Sequence, residues 1–195
     1  MIPHAFNPDD FYIAERKGDY LLYLGRMIRR KGIEVAAAIA EQAGMRLLMA
    51  GQGVVSCEPG RIVTAECEIR GDHVEYLGPA DATMRAALMA GARAVLMPTL
   101  YLEMFGCVAV EAMLSGTPPI TSDFGAFPET IDHGVTGYRF STIDQAVAYV
   151  DAAAGLDPFQ IRGEAIARYS VDVVRHRYEA WLEQLAAHRY MVAAS

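Results

Sequence analysis

Short apolar runs that stop at glycine or proline alternate with helix-patterned stretches along this chain, and that alternation limits the folds open to it. Residues 20–24 are β-prone and stop at Gly25, residues 46–50 at Gly51, residues 73–77 at Gly78, and residues 94–97 at Pro98. Between them, residues 32–44 read as a helix closed by Gly44, and Asp81 is placed to cap a helix running to Met89. A helix over 106–115, a fifth strand at 119–121 and a sixth at 137–140 continue the series. Residues 52–72 are mixed, with one short strand expected near Ile62–Thr64. Strands alternating with helices predict an α/β fold: a single domain built on a doubly wound, Rossmann-like parallel sheet covered on both faces.

Ligands of such sheets lie at the carboxyl ends of the strands. Those ends carry Gly25 and Arg26, the turn Gly51-Gln52-Gly53, Leu77 and Gly78, residues 99–106, and residues 122–125. Within that set, Glu103 and Glu111 stand out. They are eight residues apart across a Phe105-Gly106 pair that opens an apolar helix. Eight helical residues span about 12 Å, a length that suits a sugar nucleotide. The free amides at the helix start would fall between the carboxylates, where a diphosphate would sit. The pattern therefore offers acceptors for hydroxyls at both ends and donors for phosphate in the middle.

A net charge of −7 excludes general nucleic-acid binding, which needs a basic footprint. Yet Arg26, Arg29, Arg30 and Lys31 fall within six residues, a local positive spot just after the first strand. With 53% hydrophobic and 21% charged residues in a chain of 195, one well-packed domain is expected. No apolar stretch reaches the ~20 residues of a membrane span, residues 1–20 do not read as a secretory signal, and membrane contact through this chain is not expected. Cys57, Cys67 and Cys107 are odd in number and match no zinc spacing, so reduced thiols in a cytoplasmic protein, with no metal, are expected.

The residues just described run in the order Pro98 to Gly106, Glu111 to Ser122, Gly125 to Glu129 and His133 to Gly137. That series resembles the donor-binding, carboxyl-terminal domain of retaining GT-B glycosyltransferases of family four, glycosyltransferase group 1. The resemblance covers nearly the whole chain. It implies that Arg26 and Lys31 bind the donor diphosphate and neutralise the charge of the leaving group. By the same resemblance, Glu103 accepts hydrogen bonds from hydroxyls of the transferred sugar, completing an implied catalytic set of Arg26, Lys31 and Glu103. It further implies that Glu111 holds the ribose, that Phe105, Gly106 and Cys107 offer amides to the phosphates, and that Leu77 and Gly78 receive the base. Gly25, Gly51 and Gly53 line the same pocket. The substrate implied is a nucleotide-diphosphate sugar, used without a cofactor or metal. Met104 departs from the family, which carries Gly, Ser or Pro there.

Residues 1–18 resemble the segment that links the two halves of such enzymes. Residues 19–155 form the nucleotide-sugar domain, and residues 156–195 form terminal helices expected to pack on it. Val174, Tyr178, Trp181 and Leu185, at spacings of four, three and four, make the apolar stripe for that packing. The amino-terminal, acceptor-binding half is the expected partner, in the same chain or another. Alternatives are a noncatalytic nucleotide-sugar module of the same fold and, more distantly, an epimerase, a phosphorylase or an NAD-dependent dehydrogenase. The last has only Gly51-Gln52-Gly53 in its favour, with no third glycine and no helix expected after it. His133, a lone histidine beside glycine, is read as structural.

Overall fold

Apolar residues fill both faces of the strands, as a sheet sandwiched between helices requires. The computed structural model describes residues 2–193. Strands β1 (Tyr20–Leu24), β2 (Arg46–Ala50), β6 (Val74–Tyr76), β7 (Ala94–Met97), β8 (Pro119–Ser122) and β9 (Tyr138–Phe140) form one sheet in the order β6-β2-β1-β7-β8-β9. Every pairing within it is parallel. The alternation of side chains along each strand sorts the core into two halves. Leu21, Tyr23, Leu47, Met49 and Leu96 meet α1 (Ile33–Gln42) and α5 (Ile143–Ala152) on one face. Leu22, Leu24, Leu48, Val95 and Met97 meet α2 (Ala82–Gly91), α3 (Cys107–Leu114) and α6 (Pro158–Tyr169) on the other. Each fully buried leucine contributes about 1.5–3 kcal/mol.

The helix signals read from sequence act as expected. The Asp81 side chain accepts from the Met84 amide at 2.8 Å, capping α2. Helix α5 carries its own signal in Thr142, whose hydroxyl accepts from the Gln145 amide at 3.3 Å; the sequence reading passed over it. A short helix, α4 (Phe127–Thr130), buries Phe127 completely.

Two sequence expectations need correction. In place of one short strand near Ile62–Thr64, residues 54–70 form an antiparallel three-stranded sheet, β3 (Val54–Glu58), β4 (Arg61–Thr64) and β5 (Glu68–Arg70). Only Ile62, Thr64 and Ile69 of these strands are buried, so most of β3 and β5 faces solvent and lacks the apolar signature of a strand. The last helix, α7 (Val171–Ala193), also differs. Val174 is 1% exposed, but Tyr178, Trp181 and Leu185 are 46%, 48% and 47% exposed. The stripe is real as a helix face, yet the body covers only its first turn.

The segment before β1 is tied to the junction of α6 and α7. Phe6 donates to the Tyr169 carbonyl and accepts from Val171, both at 2.9 Å. Arg162 of α6 donates to the carbonyls of Phe11 and Pro8 at 3.0 and 2.8 Å.

Candidate functional site

The strand order reverses between β1 and β7, so the chain after β1 and the chain after β7 turn to opposite sides and leave a crevice. Backbone hydrogen bonds join the loops around it. Gly25 N donates to Ala50 O at 3.1 Å, Gly51 N to Gly78 O at 3.0 Å, and Met27 N to Gln52 O at 2.7 Å. A side chain at Gly51 would stand 1.7 Å from the Gly25 carbonyl oxygen, so glycine is required where these loops cross. A 3-10 turn over Arg29–Lys31 then leads into Gly32, whose φ of 76° and contact with Pro98 admit no Cβ. Leu100 N donates to Arg30 O at 2.8 Å, stitching the basic loop to the loop after β7.

This stitching brings Lys31 onto Glu103. The ammonium donates to Glu103 Oε2 at 2.7 Å and to the Tyr101 hydroxyl, and that hydroxyl donates to the same Glu103 oxygen at 2.6 Å. Burial alone lowers the Lys31 pKa, but the hydrogen bonds to Glu103 and Tyr101 outweigh it and hold the pKa above the ordinary lysine value. Lys31 Nζ also lies 4.7 Å from the Tyr101 ring centroid. Gly125 packs behind Glu103, and Ala126 N donates to the Glu103 carbonyl at 2.9 Å. Met104 is 90% exposed, so its side chain leaves this backbone arrangement undisturbed.

Glu111 is the fifth residue of α3 and is held by a cation of its own, Arg85 of α2. Its side chain is 14% exposed, not the solvated carboxylate of a helix surface. Burial raises its pKa above the usual carboxylate range, and the Arg85 guanidinium partly offsets that rise.

Two cavities of about 220 and 200 Å³ share Leu24, Gly25, Arg26 and Val108 and form one groove. Gly51, Gln52, Pro79 and Arg85 border one part; Lys31 and Thr99 border the other. Gly106, with φ of 82°, caps α3 beside it, and the amides of Cys107 and Val108 in the first turn have no acceptor within the helix. Burial pushes the Cys107 thiol up, leaving it neutral. Thus Gly25, Arg26, Lys31, Gly51 and the start of α3 come together, with Glu103 behind Lys31 and Glu111 behind Arg85.

Other expected residues sit further back. Leu77 is partly buried and packs against the apolar core, while Pro79 and Ala80 line the groove. Gly53 lies against the Met27 carbonyl. The Phe105 ring turns away into an aromatic cluster with His4, Phe6 and Tyr169. His133 Nδ1 accepts from the Arg139 amide at 3.1 Å and its ring meets Tyr138 and Tyr149 edge-on, a structural role. The turn at Gly51–Gly53 runs into β3 and not into a helix, unlike a dinucleotide fingerprint. Among the described residues, no group of three or more His, Cys, Asp or Glu could hold a metal ion, and no helix is long and apolar enough to cross a membrane. Sequence reasoning missed Tyr101 and Arg85. Tyr101 is two residues before Glu103, and Arg85 follows the Asp81 cap by four, on the side that α3 covers.

Residues 18–156 match the family model for glycosyl transferases group 1. The chain belongs to that family. This group 1 domain is 33% identical over 171 residues to the phosphatidyl-myo-inositol mannosyltransferase of Mycolicibacterium smegmatis, covering 84% of this chain and 42% of that protein. It is 32% identical over 137 residues to the glycogen synthase of Mycobacterium tuberculosis, covering 65% of this chain and 31% of that protein. The sucrose-phosphate synthase of Thermosynechococcus elongatus superposes with a TM-score of 0.75 at 26% identity, over 96% of this chain and 52% of that one. The group 1 domain therefore spans about half, or less, of the length of the relatives it matches. Its fold is one half of the GT-B architecture.

Proposed function

We propose that this group 1 domain binds the donor of a retaining hexosyltransferase, a nucleotide-diphosphate sugar, and transfers the hexose to a hydroxyl acceptor only with an acceptor-binding half. One observation carries the reading: at the switch point, a groove at the first turn of α3 is bordered by Arg26, by Lys31, which pairs with Glu103, and by Arg85, which pairs with Glu111. Cleaving the glycosyl–phosphate bond leaves negative charge on the diphosphate, and on this reading Arg26 and Lys31 are the fixed cations that stabilise it. On this reading the charge falls to those side chains and not to a metal ion. Glu103 takes sugar hydroxyls and Glu111 the ribose, both through charge-assisted hydrogen bonds. The acceptor hydroxyl attacks from the face the diphosphate leaves. Its positioning needs the second half, so the domain by itself binds the donor and transfers weakly or not at all.

Residues 1–18 act as the link to that half, 19–155 as the donor domain and 156–195 as its terminal helices. The three free cysteines support a cytoplasmic setting. Calorimetric titration with UDP, GDP and ADP, repeated on Glu111→Ala, tests the proposal. Micromolar to low-millimolar binding of one nucleotide, lost in the folded variant, is expected. Equal binding by the variant would overturn the role of Glu111, and binding of none of the three would point to a noncatalytic module.

A further inference from the structure

Arg85 stands between two cavities. One, of about 220 Å³, contains Gly25, Arg26 and Gly51 of the basic loop region. The other, of about 660 Å³, lies between α2 and the amino-terminal segment at Phe11 and Tyr12, and it contains Glu111. Arg85 borders both, while Glu111 borders only the second. A nucleoside reaching from the basic loop to the Glu111 carboxylate meets the guanidinium that already holds its Oε2 oxygen.

We propose that Arg85 is a positioning residue that holds Glu111 in the empty site and is exchanged for the ribose hydroxyls when the donor binds. The inference rests on the donor-site reading given above. Its physical basis is the cost of a carboxylate that is only 14% exposed. Without a counter-ion, such a group is more readily protonated, and a protonated acid is a poorer acceptor for ribose hydroxyls than a carboxylate. With the guanidinium in place the carboxylate stays charged, but the nucleoside must displace a charge-assisted contact. Arg85 thus trades affinity at high pH for affinity that holds at low pH. The charged and titratable groups around Glu111 are few: Arg85 from α2, Cys107 one turn back on α3, and Asp10 and Tyr12 from the amino-terminal segment across the cavity. Cys107 stays neutral, because burial raises its thiol, and Arg85 is the sole cation facing the carboxylate among these groups.

The test is calorimetry of the full chain and of Arg85→Met and Arg85→Lys with UDP, GDP and ADP, between about pH 5.5 and pH 8.5. The ratio of variant to parent affinity cancels the titration of the nucleotide's own phosphate. For Arg85→Met the ratio is expected above one at the alkaline end and to fall at least about threefold at the acid end, as the unpaired carboxyl protonates. Arg85→Lys is expected to restore a flat ratio. A ratio below one throughout, or one that does not change with pH, overturns the exchange while leaving the donor reading intact. Binding of no nucleotide by the parent chain overturns both. Carbon-13 NMR titration of the Glu111 carboxyl, assigned with Glu111→Gln, checks the ion pair without any ligand. Its midpoint should rise in Arg85→Met, and an unchanged midpoint overturns the proposal.

Discussion

Lys31 and Glu103, 72 positions apart in the chain, meet through a 2.7 Å hydrogen bond. Their side chains are 20% and 14% exposed, so neither is readily resolvated when its partner is removed. Lys31→Met and Glu103→Gln should each cost about 2 kcal/mol in urea unfolding, between the values for exposed and fully buried pairs. The double variant should be less destabilised than the sum, by about 1 kcal/mol or more. Strict additivity would mean that the two groups do not support one another.

Tyr101 contributes one hydroxyl to this pair. Tyr101→Phe keeps the ring beside the ammonium and removes the 2.6 Å bond to Glu103. A stability loss of about 1 kcal/mol is expected. If Glu103 serves the sugar, affinity for the nucleotide sugar should fall severalfold more than affinity for the bare nucleotide. Equal losses for both ligands would contradict that assignment.

Gly32 is where the basic loop touches Pro98, the residue just after β7. Gly32→Ala puts a Cβ 1.7 Å from the Pro98 carbonyl oxygen at a φ of 76°, and about 3 kcal/mol or more should be lost in thermal unfolding. Gly44→Ala, also at positive φ but with open space around it, should cost about 1 kcal/mol. Similar losses at the two positions would refute the close approach.

Lys17 makes the stability pH-dependent away from the site. Its ammonium reaches the carbonyls of Ala90 and Ser115 at 2.9 and 3.3 Å, near the ends of α2 and α3. Burial lowers its pKa from 10.5 to about 8. The unfolded chain therefore binds more protons than the folded one between those values, and the Lys17 contribution to stability rises with pH across that window. Above pH 10 the trend reverses, because burial raises Tyr20, Tyr76 and Tyr169 above 10.0 and the unfolded chain loses their protons first. Urea midpoints of the parent and Lys17→Met between pH 8 and 10 should show the rise only in the parent.

The two ends of the apolar stripe on α7 should respond differently to truncation. Val174→Ala empties a fully packed position and should cost about 2 kcal/mol. Trp181→Ser, at a side chain 48% exposed, should cost less than about 1 kcal/mol despite removing the larger group. A greater loss at Trp181 would show that the body covers more of the helix than its first turn.

Local patterns in the chain determined the layered α/β fold, because strand and helix periods and their glycine stops are properties of adjacent residues. They also determined which loops meet at the strand ends, since parallel pairing carries every strand's carboxyl end to one edge. That Gly25, Arg26, Lys31, Gly51 and the start of α3 lie close together was legible for that reason. Strands β3 and β5 were not, because most of their residues face solvent and leave no apolar alternation. The uncovered face of α7 was equally illegible: a stripe records a helix period but not what lies against it. Only the tertiary structure placed Tyr101 and Lys31 on Glu103 and Arg85 on Glu111. The Lys31–Glu103 and Arg85–Glu111 contacts join side chains from separate elements, and whether a carboxylate is solvated or held by a cation depends on how the elements pack, a long-range outcome with no local signature.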